Sequence, residues 1–350
     1  MSPTRIEWTD ETWNPVTGCT PVSPGCDHCY ARRMATTRLR GRRGYPADDP
    51  FRVALHPDRL AQPLRWRKPR RVFTCSMGDL FHEAVPDSTI DRVFAVMALA
   101  PQHQFQVLTK RATRARDVLS AVQKRKEGMA DAWIEHVGPY MGPTKDDVEA
   151  WCRTHGVSVP ERARRVHIIN RWLHADYAER TVHAERGGWT GWPLPNVLLG
   201  VTAEDQPRAD ERIPLLLDCP AAVRFVSIEP MLGAVDLTWL PSGQPFELPQ
   251  GDRCQAMQNA LRRPREHAPG ETVLVPAKPG LDWVIVGGET GPGARPMHPQ
   301  WVRDIRDHCV ANGVPFFFKQ WGEWAGKTFE DIVGPHDNLL DGRTWQQFPD

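Results

Sequence analysis

Apolar and polar positions alternate along this chain in a repeating order. A short apolar run bounded by polar residues is followed by a stretch with helical spacing, and the pair then recurs. Arg71–Met77 reads as a buried strand, followed by the loop Gly78–Glu83 and a helix from Asp87 to Leu99. Pro86 and Asp87 open that helix, and Ile90, Val93, Phe94 and Met97 form its apolar stripe. His103–Thr109 and Asn196–Thr202 are the next strands, then a helix around Arg208–Leu217 and a strand Val223–Ile228. Asp282–Val286 is a further strand. His298 and Pro299 begin a helix with Trp301, Val302, Ile305 and Cys309 on one face, closed by Gly313, and Val314–Phe318 is a last strand. With a strand feeding the segment before Cys19, the count is about seven.

This βα repeat predicts an α/β fold with a parallel sheet and helices outside it. A partial or open barrel fits the count best, with a doubly wound sheet as the structural alternative. Polar residues follow the strands: Ser76 and Asp79, Thr109 and Lys110, Thr202 and Glu204, then Glu229, Glu289 and Lys319. In parallel folds that edge binds ligands, although strand ends also meet water in any protein. Two stretches, 121–192 and 240–280, break the rhythm and read as insertions. The first holds helical pieces at Asp146–His155 and Glu161–Tyr177 and ends in Gly187–Trp192. The second is rich in Pro, Gly, Arg and Gln, the composition of a segment partly without fixed structure. The chain thus divides into 1–120, the insertion 121–192, then 193–239, the insertion 240–280, and 281–350.

Composition adds two constraints. At 40% hydrophobic and 25% charged residues, the chain is ordinary for a globular protein. Its start lacks a secretory apolar core and its apolar runs are too short to span a bilayer, so the expected location is the cytoplasm, away from membranes. The net charge of +1 hides an asymmetry: residues 1–125 hold 21 Lys/Arg against 12 Asp/Glu, a net +9. Such a half suits phosphates, ATP-like cofactors or nucleic acid, or is simply a solvated surface. No Gly-x-Ser-x-Gly elbow, Walker loop or His-Glu-x-x-His helix is present, which argues against hydrolysis.

The eight cysteines change the picture most, because Cys19, Cys26 and Cys29 lie within eleven residues while the rest are scattered. A disulfide scaffold would be shorter and denser. Pro21, Pro24 and Gly25 predict a non-helical loop between the first two, and Tyr30 onward has good helix formers, placing Cys29 at a helix start. Three thiolates hold three irons of a [4Fe–4S] cubane and leave one iron open, as a reactive cluster requires. That iron takes S-adenosylmethionine, and one-electron reduction yields a 5′-deoxyadenosyl radical. A zinc site is the rival reading: His28 is awkwardly adjacent to Cys29, and a fourth ligand would have to come from afar, for instance Cys75 or His82. Cys75, Cys219 and Cys309 read as core residues.

Several motifs together carry a family resemblance: Ile6–Cys19, the Cys-x6-Cys-x2-Cys-Tyr cluster, Phe105–Arg111, Leu199–Asp205, Asp282–Glu289 with Gly291–Pro296, and Phe316–Gly322. The chain resembles the phage Gp37/Gp68-like (DUF5131) family, itself similar to a branch of the radical S-adenosylmethionine superfamily and distantly to spore photoproduct lyase. The resemblance implies a partial (β/α)6-type TIM barrel interrupted by the two insertions, with the cluster loop after the first strand. It implies Cys19, Cys26 and Cys29 as cluster ligands, and Ser76, Asp79, Thr109, Thr202, Glu204 and Glu229 as cofactor contacts. Glu289 and Lys319 are assigned to the catalytic pocket. The spacing departs from the superfamily's Cys-x3-Cys-x2-Cys, and its Gly-Gly-Glu motif is matched only late in the chain, at Gly287–Glu289.

The expected activity is therefore a radical S-adenosylmethionine enzyme, fed by a reductant such as flavodoxin or ferredoxin. Its expected substrate is a nucleotide or nucleic acid, with base modification or repair as the reaction. A peptide or small metabolite is the other substrate class, and a non-catalytic zinc or Fe–S nucleic-acid-binding module the other function. Lys110, Arg111 and Lys319 are candidate phosphate contacts. Trp321 and Trp324 are candidate stacking residues, or else core.

Overall fold

The computed structural model describes residues 4, 6–42, 44–122, 192–247, 253–261, 280–324 and 338–349. Seven strands form one sheet: β1 (Glu11–Trp13), β2 (Arg71–Thr74), β3 (Gln104–Thr109), β4 (Val197–Thr202), β5 (Val223–Ile228), β6 (Trp283–Gly287) and β7 (Phe316–Gln320). Every neighbouring pair is parallel and the spatial order equals the chain order. A sheet that winds steadily in one direction curls, and this one is a parallel half-barrel. All seven C-terminal strand ends therefore lie on one edge.

Helices follow most strands: α1 (Tyr30–Thr36), α2 (Asp87–Leu99), α3 (112–122), α4 (Gln206–Leu217) and α5 (Pro299–Asn312). Helix α2 has the predicted bounds, with Pro86 as N-cap and Ile90, Val93, Phe94 and Met97 buried. Asp205 caps α4 by accepting the Arg208 amide at 3.0 Å, which starts that helix two residues earlier than its apolar spacing suggests. His298 caps α5, and Gly313 ends it in the left-handed conformation.

The two faces of the sheet carry separate cores. The larger packs α2, α3, α4 and α5 against one face, with Val72, Val107, Val201, Val226, Val284 and Phe316 from the strands. The other face carries Phe73, Leu198, Phe225, Trp283, Ile285 and Phe317, closed over by Trp8 and Phe348. These alternate along the strands with the first set, the two-residue period of a sheet buried on both sides.

Two expectations need adjustment. The strand expected over Arg71–Met77 stops at Thr74: the Cys75 amide still bonds the Trp13 carbonyl at 2.8 Å, but Cys75 has φ +59° and the chain turns there. The loop between Cys19 and Cys26 is not wholly irregular, since Pro24–Cys26 form one 3-10 turn with the Cys26 amide on the Ser23 carbonyl. Between β5 and β6 the described residues hold an antiparallel hairpin, Leu240–Glu247 with Arg253–Gln258, so the stretch 240–280 is partly ordered structure. Residues 262–279, and the helical pieces expected at Asp146–His155 and Glu161–Tyr177, lie outside the described residues.

Candidate functional site

The cysteine loop leaves β1 and lies across the C-terminal edge of the sheet. The Gly18 amide bonds the Met77 carbonyl at 2.8 Å, which places Cys19 beside the end of β2. Cys29 is the N-cap residue of α1. All three sulfurs are half-buried and outside any disulfide, and Cys19 and Cys29 pack against one small apolar cluster of Ala31, Ala35, Tyr45, Phe51 and Met77.

Two carboxylates from the sheet edge hold the loop on either side of Cys26. Glu204, after β4, is fully buried. It accepts the Gly25 amide at 3.2 Å and pairs with Lys110 and with Arg212 of α4, each at 3.1 Å. A side chain at position 25 would have its Cβ 2.9 Å from the Glu204 carboxyl carbon, so the ends of Glu204 and Lys110 would have to shift to admit one. Burial pushes the Glu204 carboxyl up, but Lys110, Ser23 and Arg212 outweigh it and bring it down to about 2. Glu289, after β6, meets His28 Nδ1 at 3.1 Å and is gripped by Arg295, whose Nη2 donates to Oε1 at 2.7 Å. Arg295 also donates to the Pro24 carbonyl at 2.9 Å and to Asp27 at 3.2 Å. Burial again raises Glu289, and Arg295 and His28 reverse it to about 2.

A third anchor holds Cys19. Arg111, nearly buried, donates to the Cys19 sulfur at 3.3 Å, to the Thr20 carbonyl at 3.1 Å, and to Asp79 at 3.2 Å and Glu83 at 3.0 Å. Asp79 in turn takes the Thr109 hydroxyl at 2.8 Å and the Lys110 amide at 3.2 Å. Burial pushes the Cys19 thiol up to about 11, with Asp79 adding to the rise and Arg111 opposing it.

The expected site residues separate into two groups. Asp79, Thr109, Glu204 and Glu289 spend their polar atoms on the protein itself, holding Arg111, Lys110 and the cysteine loop. Ser76, Thr202, Glu229 and Lys319 lie at strand ends on the same edge. Ser76 exchanges hydrogen bonds with the Asn14 amide, and its carbonyl accepts the Tyr30 hydroxyl. Glu229 accepts from Ser227 at 3.1 Å and pairs with Lys319 at 3.0 Å. Arg111 is committed to the interior and is no surface phosphate contact. Trp321 is a core residue, and both Trp321 and Trp324 donate their ring N–H to backbone carbonyls.

Sequence reasoning gave no role to His28, Asp27, Thr20, Arg212 or Arg295. Arg212 left a readable trace, because it falls among Ala209, Ile213 and Leu216 on the buried face of α4, where an arginine needs an internal partner. Arg295 sits six residues after Glu289 in a motif whose purpose only the contact reveals.

The donor set suits an iron–sulfur cluster: three soft sulfurs in one loop, with charged neighbours already engaged by other partners. Among the described residues no three His, Cys, Asp or Glu side chains converge as ligands of one metal ion. Cubane ligands each bind a different iron and need not converge on a point. The two remote groups weighed as a zinc site's fourth ligand have other surroundings. His82 accepts the Ala84 amide at Nδ1 and meets Thr20 at Nε2, and Cys75 is buried in the helix-side core.

These features define a parallel α/β half-barrel protein with a three-cysteine loop tethered over the C-terminal edge of its sheet. The chain belongs to the DUF5131 family, described as a protein of unknown function, which it matches over residues 3–349. No curated protein and no solved structure shows a detectable match. Among the described residues no helix is long and apolar enough to cross a membrane.

Proposed function

We propose that the protein is a radical S-adenosylmethionine enzyme, built on a partial (β/α)6-type barrel and acting on a nucleotide or nucleic acid. The observation that carries this reading is the placement of three free, half-buried cysteines in one loop, pinned across the C-terminal edge of a sequentially ordered parallel sheet. Cys19, Cys26 and Cys29 would hold a [4Fe–4S] cluster with one open iron. When bound and reduced by a flavodoxin- or ferredoxin-type donor, that group supplies the electron for homolysis of S-adenosylmethionine.

The protein's own residues orient and shield. Glu204, Glu289, Arg111 and Arg295 are positioning residues that fix the loop against the sheet. Ser76, Thr202 and Glu229 are the strand-end groups that would meet the amino, carboxylate and ribose groups of the cofactor, in exchange for the present partners Asn14 of Ser76 and Lys319 of Glu229. Lys319, paired to Glu229, is the cation nearest that set. The basic N-terminal part of the chain favours a phosphate-bearing substrate.

Anaerobic reconstitution of the full chain tests the reading. The expected result is about four irons and four sulfides per chain, with 5′-deoxyadenosine released on adding dithionite and S-adenosylmethionine. Cys26→Ala should abolish both signals. Release of 5′-deoxyadenosine by that variant at the parent rate would overturn the ligand assignment.

A further inference from the structure

Between Cys29 and Asp48 the chain carries six arginines and no lysine, aspartate or glutamate. The local structure turns this run outward. Helix α1 buries Ala31 and Ala35, leaving Arg32 and Arg33 exposed. The chain then folds back on itself: the Leu39 amide bonds the Met34 carbonyl at 3.0 Å, and the Gly41 amide bonds the Tyr45 carbonyl at 2.7 Å. Tyr45 enters the small apolar cluster under the cysteine loop and Leu39 packs against it, while Arg38, Arg40 and Arg42 stay exposed. Arg32, Arg33, Arg38 and Arg42 form no ion pair with any described residue, whereas arginines elsewhere on the sheet edge are paired. Unpaired guanidiniums concentrated on one short segment repel one another, an arrangement that an external polyanion relieves.

The patch adjoins the cysteine loop. The Arg33 guanidinium lies against Gly291, two residues beyond Glu289, close enough that a Cβ there would be 1.6 Å from Nη1. Tyr30 stands between the patch and the strand ends. Its hydroxyl is buried against the Ser76 carbonyl, which holds the side chain in place, while the residue as a whole keeps 40% of its surface exposed.

We infer that the face formed by α1 and residues 37–42 binds the sugar–phosphate backbone of a nucleic-acid strand, with an unstacked base laid on Tyr30 at the edge of the site. Arginine rather than lysine throughout matches forked recognition of phosphate oxygens, and an exposed aromatic beside a basic track is the pattern of single-strand binders. An acidic protein would satisfy the charge but would make no use of a fixed aromatic ring. This inference narrows the substrate of the site proposed above and rests on that reading for the chemistry done on the bound strand. Binding itself requires no cluster.

Fluorescence anisotropy of the full chain without cluster, with labelled single-stranded and duplex DNA and RNA 20-mers over a salt series, tests it. The single strand should bind more tightly than the duplex. Exchanging Arg32, Arg33, Arg38 and Arg42 together for Gln should weaken binding at least tenfold and flatten the slope of log K against log salt by about 3, from four lost phosphate contacts at about 0.7 each. Tyr30→Leu should cost about tenfold for the single strand, and Tyr30→Phe should retain stacking. A variant with Arg65, Arg67 and Lys68 exchanged for Gln, on the segment before β2, should bind as the parent does. The inference is overturned if the four-arginine variant binds like the parent, if the control loses as much, or if polyglutamate competes as well as the oligonucleotide. Equal affinity for duplex and single strand overturns the role of Tyr30. Binding with no 5′-deoxyadenosine formation after reconstitution would sink the enzyme reading and leave the binding surface standing.

Discussion

Glu204 shows how much one side chain carries at this site. It is a buried carboxylate with three partners from three parts of the chain: the Gly25 amide, Lys110 and Arg212. Replacing it with Ala takes the close carboxylate from the buried Arg212, which keeps only the Thr202 carbonyl at 2.8 Å and Glu211 at 3.9 Å, a loss of about 3 kcal/mol. Urea titration of Glu204→Ala should show that loss as a lower midpoint with an unchanged slope. Its titration adds a signed pH effect. The folded-state carboxyl is held near 2 against an ordinary 4.5, so the unfolded chain binds the extra proton between those values. The stabilisation, about 3 kcal/mol, is present above pH 4.5 and lost as the pH falls toward 2. Urea midpoints measured from pH 6 to pH 3 should fall less for Glu204→Gln than for the parent. An equal fall in both would show that Glu204 does not carry the effect.

At the scale of elements, most of the fold was readable because its helices and strands obey local rules. Helix α2 runs from Asp87 to Leu99 as its stripe and Pro86 require, and β5 spans Val223–Ile228 as its apolar run requires. Helix α5 ends at Gly313 for a purely backbone reason: φ is +67°, and a Cβ at that position would meet nothing within 4 Å. Gly313→Ala should therefore cost about 1–2 kcal/mol through the left-handed conformation alone, with no steric component. A thermal melt showing no destabilisation would mean that the cap relaxes. The strand ends were less readable. Arg71–Thr74 stops short because Cys75 turns, and no propensity marks a cysteine for φ +59°.

At the scale of the molecule, the decisive feature is the tethering of the cysteine loop by residues distant in sequence. Arg295 reaches Pro24 and Asp27 from 271 and 268 residues away in the chain, and Glu289 reaches His28. Arg295→Met should leave the sheet and its two cores intact while releasing the loop. Amide exchange at Gly25–Cys29 in the metal-free protein should rise about tenfold, equal to about 1.4 kcal/mol of local opening free energy, and iron uptake on reconstitution should slow. Parent-like exchange in that segment would remove Arg295 from the positioning set.

The amino-acid sequence by itself determined the α/β class, the seven strands of the parallel sheet, helices α1, α2, α4 and α5, and the singular cluster Cys19–Cys26–Cys29, because periodicity, caps and residue spacing are local properties; helix α3 and the hairpin after β5 were not foreseen. Only the tertiary structure decided which polar strand ends hold the cysteine loop and its anchors and which pair with other residues along the edge. Asp79, Thr109, Glu204 and Glu289 look the same in the chain as Ser76, Thr202 and Glu229. What separates them is the partner each meets: Arg111, Lys110, Arg212 and Arg295 around the first set, and Asn14 and Lys319 at Ser76 and Glu229. Those meetings depend on how seven parallel strands bring their C-terminal ends to one edge, and no window of neighbouring residues encodes them.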